Sequence, residues 1–573
     1  MAVDVSIRIA GQAGQGIQSI SAIMGKIFTR HGYYVFINQD AESRIRGGHN
    51  FDQIRVKDQP VYAIDDQVHY LICLDGNAVD SDLPDLIENG IMIYDGEKSN
   101  FRSDNPQHFS IPLEQIAEQA GKKIMVNSVA TGAAFALMGF ELQPLLDHLK
   151  EEFAAKGDEI VENNQNCASS GYRYVKENFI GVSADQIPTG SFSRQKMLLN
   201  GSQAMAMGAV CCGLKFFSAY PMSPATPIME FIASVANQYN IILEQAEDEI
   251  AAINMAIGAA FAGVRAMTAT SGGGFSLMVE GLGLAGMTET PVVVVVAQRP
   301  GPATGLPTRT EQGDLQFVIH ASHGEFPRAV LAPGHAEQAF YLMAKAFNLA
   351  ESYQTPVIVL GDQHLNDSYY TLDQLDLDQT PIDRGDINLD HQISSVKDYK
   401  RYAWQETGVS PRILPGRSKA VLYADSDEHT EAGHITESAE IRTRMVRKRM
   451  RKLEGMRSQM ASPKIFPSKK ADIVLLGWGS IYGAMKEAVN ILNHEGIAAQ
   501  MIHFSELFPF SAVPFLTEIK KKAKIFAVES NFTGQLANFF TAEAGRPVFH
   551  KILKFDGRPF APREIVMRVK EQI

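Results

Sequence analysis

Val5, Ile7 and Ile9 alternate with Asp4, Ser6 and Arg8 until the alternation stops at Gly11-Gln12-Ala13-Gly14-Gln15-Gly16. A period of two marks a half-buried strand. Positions 17–29 then carry apolar residues at helical spacing, Gly32 stops the helix, and 34–37 form the next strand. Strand, glycine turn, helix and strand make a β-α-β opening, which predicts a mostly parallel sheet. Further strands are predicted at 68–74 and 91–94.

A polar stretch over 181–193, with Pro188 and several hydroxyl residues, predicts a linker. Beyond it, apolar strands at 266–270, 291–297 and 356–360 alternate with helices such as 250–261. Residues 380–440 are rich in Asp, Gly and Pro and lack sustained periodicity, which predicts an extended connection. The basic run Arg442, Arg444, Arg447, Lys448, Arg449, Arg451 and Lys452 is interleaved with Met445, Val446, Met450 and Leu453. That spacing predicts an amphipathic helix whose basic face is solvated or meets a partner. The last block predicts a strand at 472–476, then Gly477-Trp478-Gly479-Ser480, a helix to about 494, and strands at 499–503 and 525–528. The expected fold class is α/β in three domains over 1–180, 194–390 and 466–573, with 391–465 as connection and basic helix. No fixed-period repeat interrupts this plan.

Bulk properties narrow the function. A chain of 573 residues exceeds one core, since domains hold roughly 100–200 residues each. A net charge of −12 disfavours nucleic acid, whose phosphates need a basic surface. The longest apolar runs are of strand length, far short of a membrane span, and nothing at the N-terminus resembles a signal peptide. A cytoplasmic location is expected. Cys73, Cys167, Cys211 and Cys212 form no C-x-x-C pair, so reduced thiols are expected, with no metal site or iron–sulfur cluster in this chain.

Several segments carry candidate chemistry. The loop from Gly11 to Gly16 offers free amides and a helix N-terminus to an anion, although its G-x-x-G-x-G spacing is neither a dinucleotide fingerprint nor a phosphate loop. A tight turn for strand–helix packing remains equally open. Glu42-Ser43-Arg44-Ile45-Arg46-Gly47-Gly48-His49-Asn50 sets two arginines before a glycine pair. Glu247, Asp248 and Glu249 precede an alanine-rich helix, where acidic residues ordinarily oppose the helix dipole. Tyr220-Pro221-Met222-Ser223-Pro224-Ala225-Thr226 is a proline-bracketed loop dense in hydroxyls. Gln298-Arg299-Pro300-Gly301-Pro302 and Thr304-Gly305-Leu306-Pro307-Thr308-Arg309-Thr310-Glu311-Gln312-Gly313-Asp314 form a second such region. Hydroxyl donors and a fixed guanidinium suit a small carboxylic acid, because the fork binds carboxylate bidentately and stays charged.

Together these two regions resemble the alpha subunit of 2-oxoacid:ferredoxin oxidoreductases, which cleave 2-oxoacids oxidatively with thiamine diphosphate and coenzyme A. The family's first loop is Y-P-I-T-P-S-T; here Met222, Ser223 and Ala225 replace Ile, Thr and Ser, and Thr226 remains. The resemblance implies that Tyr220, Ser223, Thr226 and Arg309 bind substrate, that Arg309 anchors its carboxylate, and that Pro221 lies at the cofactor. Glu249-Ile250-Ala251-Ala252, followed by Thr268-Ala269-Thr270-Ser271-Gly272-Gly273-Gly274, resembles the pyrimidine-binding domain of thiamine-diphosphate enzymes. There one glutamate promotes the imino tautomer of the aminopyrimidine; register gives that catalytic role to Glu249, with Glu247 and Asp248 as competitors. The loop at 11–16 and the 42–50 segment resemble the family's gamma subunit, with Ala13 in place of a glycine. That likeness implies a domain closing over the active centre, with Gly11, Gly14 and Gly16 at a cofactor and Arg46 facing substrate or coenzyme A phosphates. Gly477-Trp478-Gly479-Ser480 and Phe508-Pro509 are similar to the transketolase-type C-terminal domain, which is structural in this family.

No G-D-G is followed some 25–30 residues later by an Asn, the family's magnesium and diphosphate signature. The resemblance therefore implies a beta subunit that holds Mg²⁺, the diphosphate end of thiamine diphosphate and a 4Fe–4S cluster, in an (alpha-beta)2 heterotetramer serving ferredoxin. The fused gamma–alpha arrangement and the T-G-L-P-T-R form favour 2-oxoglutarate, with pyruvate or a broad range of 2-oxoacids as the alternative. Two rivals are a nucleotide-binding assembly protein, which would bind mononucleotide at 11–16, and an NAD-dependent dehydrogenase, which the glycine spacing disfavours.

Overall fold

A computed structural model describes residues 3–42, 48–179, 187–191, 195–387, 399–417, 419–467, 469–510 and 513–573. The chain forms three α/β sheets distributed over two compact units.

The first unit comprises Met1–Leu199, Asp367–Leu375 and Ala561–Arg563. Its eight strands run, edge to edge, His108–Ser110, Leu86–Tyr94, Val68–Cys73, Asp4–Gly11, Asn50–Lys57, Tyr34–Asp40, Tyr369–Leu372 and Met197–Asn200. The sheet is mixed rather than mostly parallel. Asn50–Lys57 inserts antiparallel between the two strands of the opening β-α-β, with Ile54 opposite both Ile7 and Ile37. Its apolar alternation is hidden because it buries polar groups. Gln53 accepts from Arg8 Nη2 at 3.0 Å, Arg55 Nε reaches Asp4 at 2.9 Å, and burial pushes the Asp52 carboxyl up to about 7. Of the predicted linker, only residues 187–191 lie among those described; there Ile187 is buried and Tyr33 donates to the Pro188 carbonyl at 2.6 Å.

The second unit comprises Asn200–Asn366, Asp376–Phe560 and Glu564–Ile573. Its seven-stranded sheet runs Glu506–Phe508, Ala329–Leu331, Pro356–Asp362, Val292–Gln298, Arg265–Thr270, Leu214–Ala219 and Ile242–Gln245, parallel except at the first pair. Val292–Gln298 is buried throughout, as a strand covered on both faces must be. The five-stranded sheet runs Lys464–Phe466, Ala499–Phe504, Ile473–Trp478, Lys524–Glu529 and His550–Leu553. Its Ala499–Phe504 strand runs on to Glu506–Phe508, at the edge of the larger sheet, and one apolar core holding Val294, Val296, Trp478 and Phe504 serves both.

The basic helix spans Ala439–Gln459, and its setting corrects the sequence expectation. Lys448 and Lys452, one turn apart, are fully buried and both close on the Glu289 carboxylate, at 2.6 Å each. Arg449 forks onto Glu428 at 3.0 and 2.8 Å. The lysine stems cross apolar packing before their charges meet a partner, which a charge pattern does not reveal. Burial opposes ionisation of Glu289, but Lys448, Lys452 and Arg401 more than offset it and hold its carboxyl well below the usual range. Burial pushes Lys452 down to about 7, against the pull of Glu289.

Glu289→Gln strands two buried ammonium groups and is expected to destabilise this chain by about 3–5 kcal/mol in urea unfolding. Because the folded-state pKa of Lys452 lies below its unfolded value, the unfolded chain binds more protons between the two, and stability rises with pH across that window. The deficit of the variant should therefore be larger at pH 6 than at pH 9. A pH-independent deficit would remove the buried charge as its cause.

Candidate active site

The parallel strands Leu214–Ala219, Arg265–Thr270 and Val292–Gln298 each end at one of the singled-out segments. Carboxyl ends of parallel strands are where open α/β sheets place ligand sites.

Asp248, in extended conformation, caps the helix Glu249–Ala262 by accepting from Ala251 N at 2.8 Å. Asp248 is thereby engaged locally and Glu247 is exposed, whereas the Glu249 side chain turns inward and is 3% exposed. Glu249 Oε1 has no hydrogen-bond partner among the described residues, nor do the buried Thr268 Oγ1 and Ser271 Oγ. Each such group costs about 1–3 kcal/mol when unsatisfied, so the unpartnered Glu249 Oε1 marks a place a ligand can complete. Gly274 makes room for this arrangement. A Cβ there would lie 2.6 Å from Glu249 Oε1 and would collide with the Thr270 hydroxyl.

The hydroxyl-rich loop leaves Leu214–Ala219 at Tyr220, which is exposed, as are Pro221 and Ser223; Thr226 opens the helix Thr226–Tyr239. Met222 turns back to receive Thr270 Oγ1 at its sulfur, 4.0 Å away. Arg299 joins the second region to the first, its Nη1 donating to the Ser223 carbonyl at 2.8 Å. The second region then wraps the Gly272–Gly274 turn. Ala303 O lies 3.8 Å from the Cβ position of Gly273, and the Asp314 carboxylate sits against Gly272. Both proline-bracketed segments therefore meet the Glu249 turn. Arg309 is 8% exposed, its Cβ 3.0 Å from the Cβ position of Gly557. Arg299, Gly274 and Asp314 were not assigned roles from sequence. Each stands within or beside a quoted motif, but only the fold shows that they link one motif to another.

Burial alone pushes the Asp314 carboxyl up to about 6, and burial with repulsion from Asp314 raises Glu311. A desolvated carboxyl at the mouth of a parallel sheet is the environment that enzymes use to tune acid–base groups.

In the first unit the glycine loop is a strand-to-helix turn. Gln15 Oε1 accepts from Gln12 N at 2.7 Å, and Gly14 and Gly16 take φ of 91° and 83°, with Gly16 capping the helix Ile17–Arg30. Gly14 and Gln15 line a cavity of about 450 Å³, while Gly11 ends the strand before it. The wall is of mixed charge: Asp75 and Asp95 face it with Glu114, which pairs with both Lys98 and Lys123. Arg46 lies outside the described residues. All four cysteines are free; Cys211 is exposed and the others are buried. No helix among the described residues is long and apolar enough to cross a membrane.

Residues 207–448 match the sequence model of the thiamine-diphosphate-binding region of pyruvate flavodoxin/ferredoxin oxidoreductase, and 6–174 match that of pyruvate ferredoxin/flavodoxin oxidoreductase. The 2-oxoacid:ferredoxin oxidoreductase subunit alpha of Sulfolobus sp is 34% identical over 97% of this chain and 95% of its own length. The 2-oxoglutarate oxidoreductase subunit KorA of Mycobacterium tuberculosis is 30% identical over 93% of this chain and 86% of its own. Among solved structures, 2-oxoglutarate:ferredoxin oxidoreductase from Magnetococcus marinus, with 2-oxoglutarate, coenzyme A and succinyl-CoA bound, superposes with a TM-score of 0.92 at 32% identity, over 99% of both chains.

A carboxyl whose folded pKa is raised burdens the folded state when ionised, that is, above about pH 6, and the burden disappears as pH falls toward its unfolded value of 3.8. Asp314→Asn should accordingly raise the melting temperature at pH 7.5 and raise it much less, roughly a third as much, at pH 4.5. Equal shifts at both pH values would show that the side chain is not desolvated.

Proposed function

The chain belongs to the 2-oxoacid:ferredoxin oxidoreductases as an alpha subunit, a thiamine-diphosphate-dependent enzyme that works with a partner subunit, and from that premise we propose that its substrate is 2-oxoglutarate. The reaction is 2-oxoglutarate, coenzyme A and two oxidised ferredoxins giving succinyl-CoA, carbon dioxide, a proton and two reduced ferredoxins. The T-G-L-P-T-R form at 304–309 and the likeness to the Magnetococcus marinus and Mycobacterium tuberculosis proteins support this choice of acid.

The observation that carries the catalytic reading is the buried, unpartnered Glu249 Oε1 beside Gly274. Residues around it fit an aminopyrimidine: a carboxylate oxygen without a donor, and a turn kept free of side chain at Gly272, Gly273 and Gly274. When bound, thiamine diphosphate supplies the carbon nucleophile and the electron sink that decarboxylation of a 2-oxoacid requires. Glu249 would hold the ring through Oε1 and is the group on this chain placed to take or give a proton there. Pro221 shapes the wall of that site. Arg309 forks onto the substrate carboxylate, and the hydroxyls of Tyr220, Ser223 and Thr226 donate to the substrate oxygens.

The remaining parts belong to other chains. A beta subunit carries Mg²⁺, the diphosphate end of the cofactor and the 4Fe–4S cluster, within an (alpha-beta)2 assembly that reduces ferredoxin. The helix that starts at Glu249 supports a covering chain, for Ile250 and Met255 are exposed and a Cβ on Gly258 would meet nothing. A helix apolar on all sides is ordinarily buried. In the first unit, the cavity lined by Gly14, in the turn that also holds Gly11 and Gly16, is the candidate coenzyme A contact.

Reduction of a viologen dye by this chain co-expressed with its partner tests the reading. Activity is expected to need both chains and coenzyme A and to favour 2-oxoglutarate over pyruvate; a preference for pyruvate overturns the substrate. Glu249→Gln should lower kcat by about 10²–10⁴-fold with an unchanged melting curve. Full activity in that variant would dismiss Glu249 as the proton-sharing group.

A further inference from the structure

The segment 309–314, between Arg309 and the helix Leu315–His320, is neither helix nor strand, and it is held from outside itself. A buried irregular backbone must find partners for its peptide groups. Four of them come from the loops and the helix that follow strands of the five-stranded sheet. Thr310 N donates to Gly557 O at 3.3 Å, and Gln312 N to Ser530 O at 2.7 Å. Gln312 O accepts from Asn531 Nδ2 at 3.2 Å, and Gly313 O from Gln535 Nε2 at 2.6 Å.

Gln312 also adds its side chain to both strand ends. Its Nε2 donates to Trp478 O at 2.8 Å, and its Oε1 accepts from Ser530 N at 3.2 Å. The side chain is fully buried, and a Cβ on Gly479 would lie 2.9 Å from its Nε2. What it grips is itself braced. The buried Glu529 carboxylate receives Trp478 Nε1 at 3.3 Å, Asn531 Nδ2 at 3.0 Å, and the first amides of the helix Gln535–Ala544, Leu536 N at 2.8 Å and Ala537 N at 3.0 Å.

We infer that Gln312 is a positioning residue for the substrate arginine, pinning the loop three residues beyond Arg309 to the ends of Ile473–Trp478 and Lys524–Glu529. This rests on the reading of Arg309 as the carboxylate anchor. On its other side Arg309 follows a local turn, with Leu306 N on Pro300 O and Arg309 N on Leu306 O, both at 3.1 Å. A bidentate guanidinium works only when held to within about 0.5 Å, so the stiff side of the loop sets its aim. The C-terminal sheet, which contributes no catalytic group, thereby takes part in substrate binding.

The test uses the assembled enzyme. Gln312→Met keeps length and volume and removes both amide bonds. It should raise KM for the 2-oxoacid about tenfold with kcat within about twofold, the pattern of lost uniform binding. Arg309→Lys should raise KM at least as much, and in that background Gln312→Met should add nothing, because residues acting through one another couple. Independent, multiplying effects, or a fall in kcat at unchanged KM, overturn the inference and leave Gln312 as structural support. An unchanged KM in Arg309→Lys instead overturns the reading of Arg309 itself. Should Gln312→Met fail to assemble, Gln535→Met loosens the same loop at Gly313. It is expected to give a smaller KM rise that again vanishes beside Arg309→Lys, and a rise that persists there counts against the inference.

Discussion

A buried loop without secondary structure cannot leave its peptide groups unpaired, and that constraint at 309–314 organises the second unit. Each unpaired buried group would cost about 1–3 kcal/mol. The loop meets the constraint with Ser530, Asn531, Gln535 and Gly557, and with the Gln312 side chain on Trp478. The five-stranded sheet must therefore abut the seven-stranded one, and the two share a core. The strand Glu506–Phe508 also joins them, closing the edge of the larger sheet beside Ala329–Leu331. The fold keeps a polar loop inside by surrounding it with strand ends, whose last amides and carbonyls have no ladder left to join.

Buried charge secures the rest of that unit. Glu351 takes Arg265 at 2.9 Å, Arg384 at 2.6 Å and Arg412 at 3.4 Å, while Glu289 takes Lys448 and Lys452. Arg384 and Arg412 come from the polar connection, and the two lysines come from the basic helix. Such pairs add little net stability against well-packed apolar residues, yet breaking one is severe, so they specify position more than they stabilise. A connection with no apolar periodicity is thus held in place by a few ion pairs.

Regular elements were legible because periodicity reports them directly: Ile17–Arg30, Val292–Gln298 and Ile473–Trp478 fall within a residue or two of expectation. Asn50–Lys57 was not legible, since its inward positions include Asp52, Gln53 and Arg55, whose burial depends on partners distant in sequence. The basic helix misled in part for a related reason: Arg442, Arg444, Arg447 and Arg451 are exposed as expected, but Lys448, Arg449 and Lys452 are buried. Charge reads as solvent exposure until its counter-ion is located, and Glu289 lies far from Lys448 in sequence. At the candidate site, motifs identified the segments, and the helical register singled out the acidic residue that the structure turns inward. The links between segments, Arg299 on Ser223 and Asp314 against Gly272, are tertiary facts that no single segment encodes.

The two glycine-rich turns illustrate different uses of the same residue. At Gly14 and Gly16 glycine serves backbone conformation, and the turn satisfies itself through Gln15 on Gln12 N. At Gly274 the backbone is ordinary helix, and glycine serves space, leaving room for Glu249 and Thr270. The site beside Gly274 keeps a carboxylate oxygen buried and unsatisfied among the described residues, at a free-energy cost that packing elsewhere must offset. A ligand that supplies donors there binds the folded chain alone and so stabilises it by mass action. On the proposed reading, incompleteness at Glu249 couples the fold to its cofactor, and the exposed Ile250 and Met255 on the same helix await a neighbouring chain.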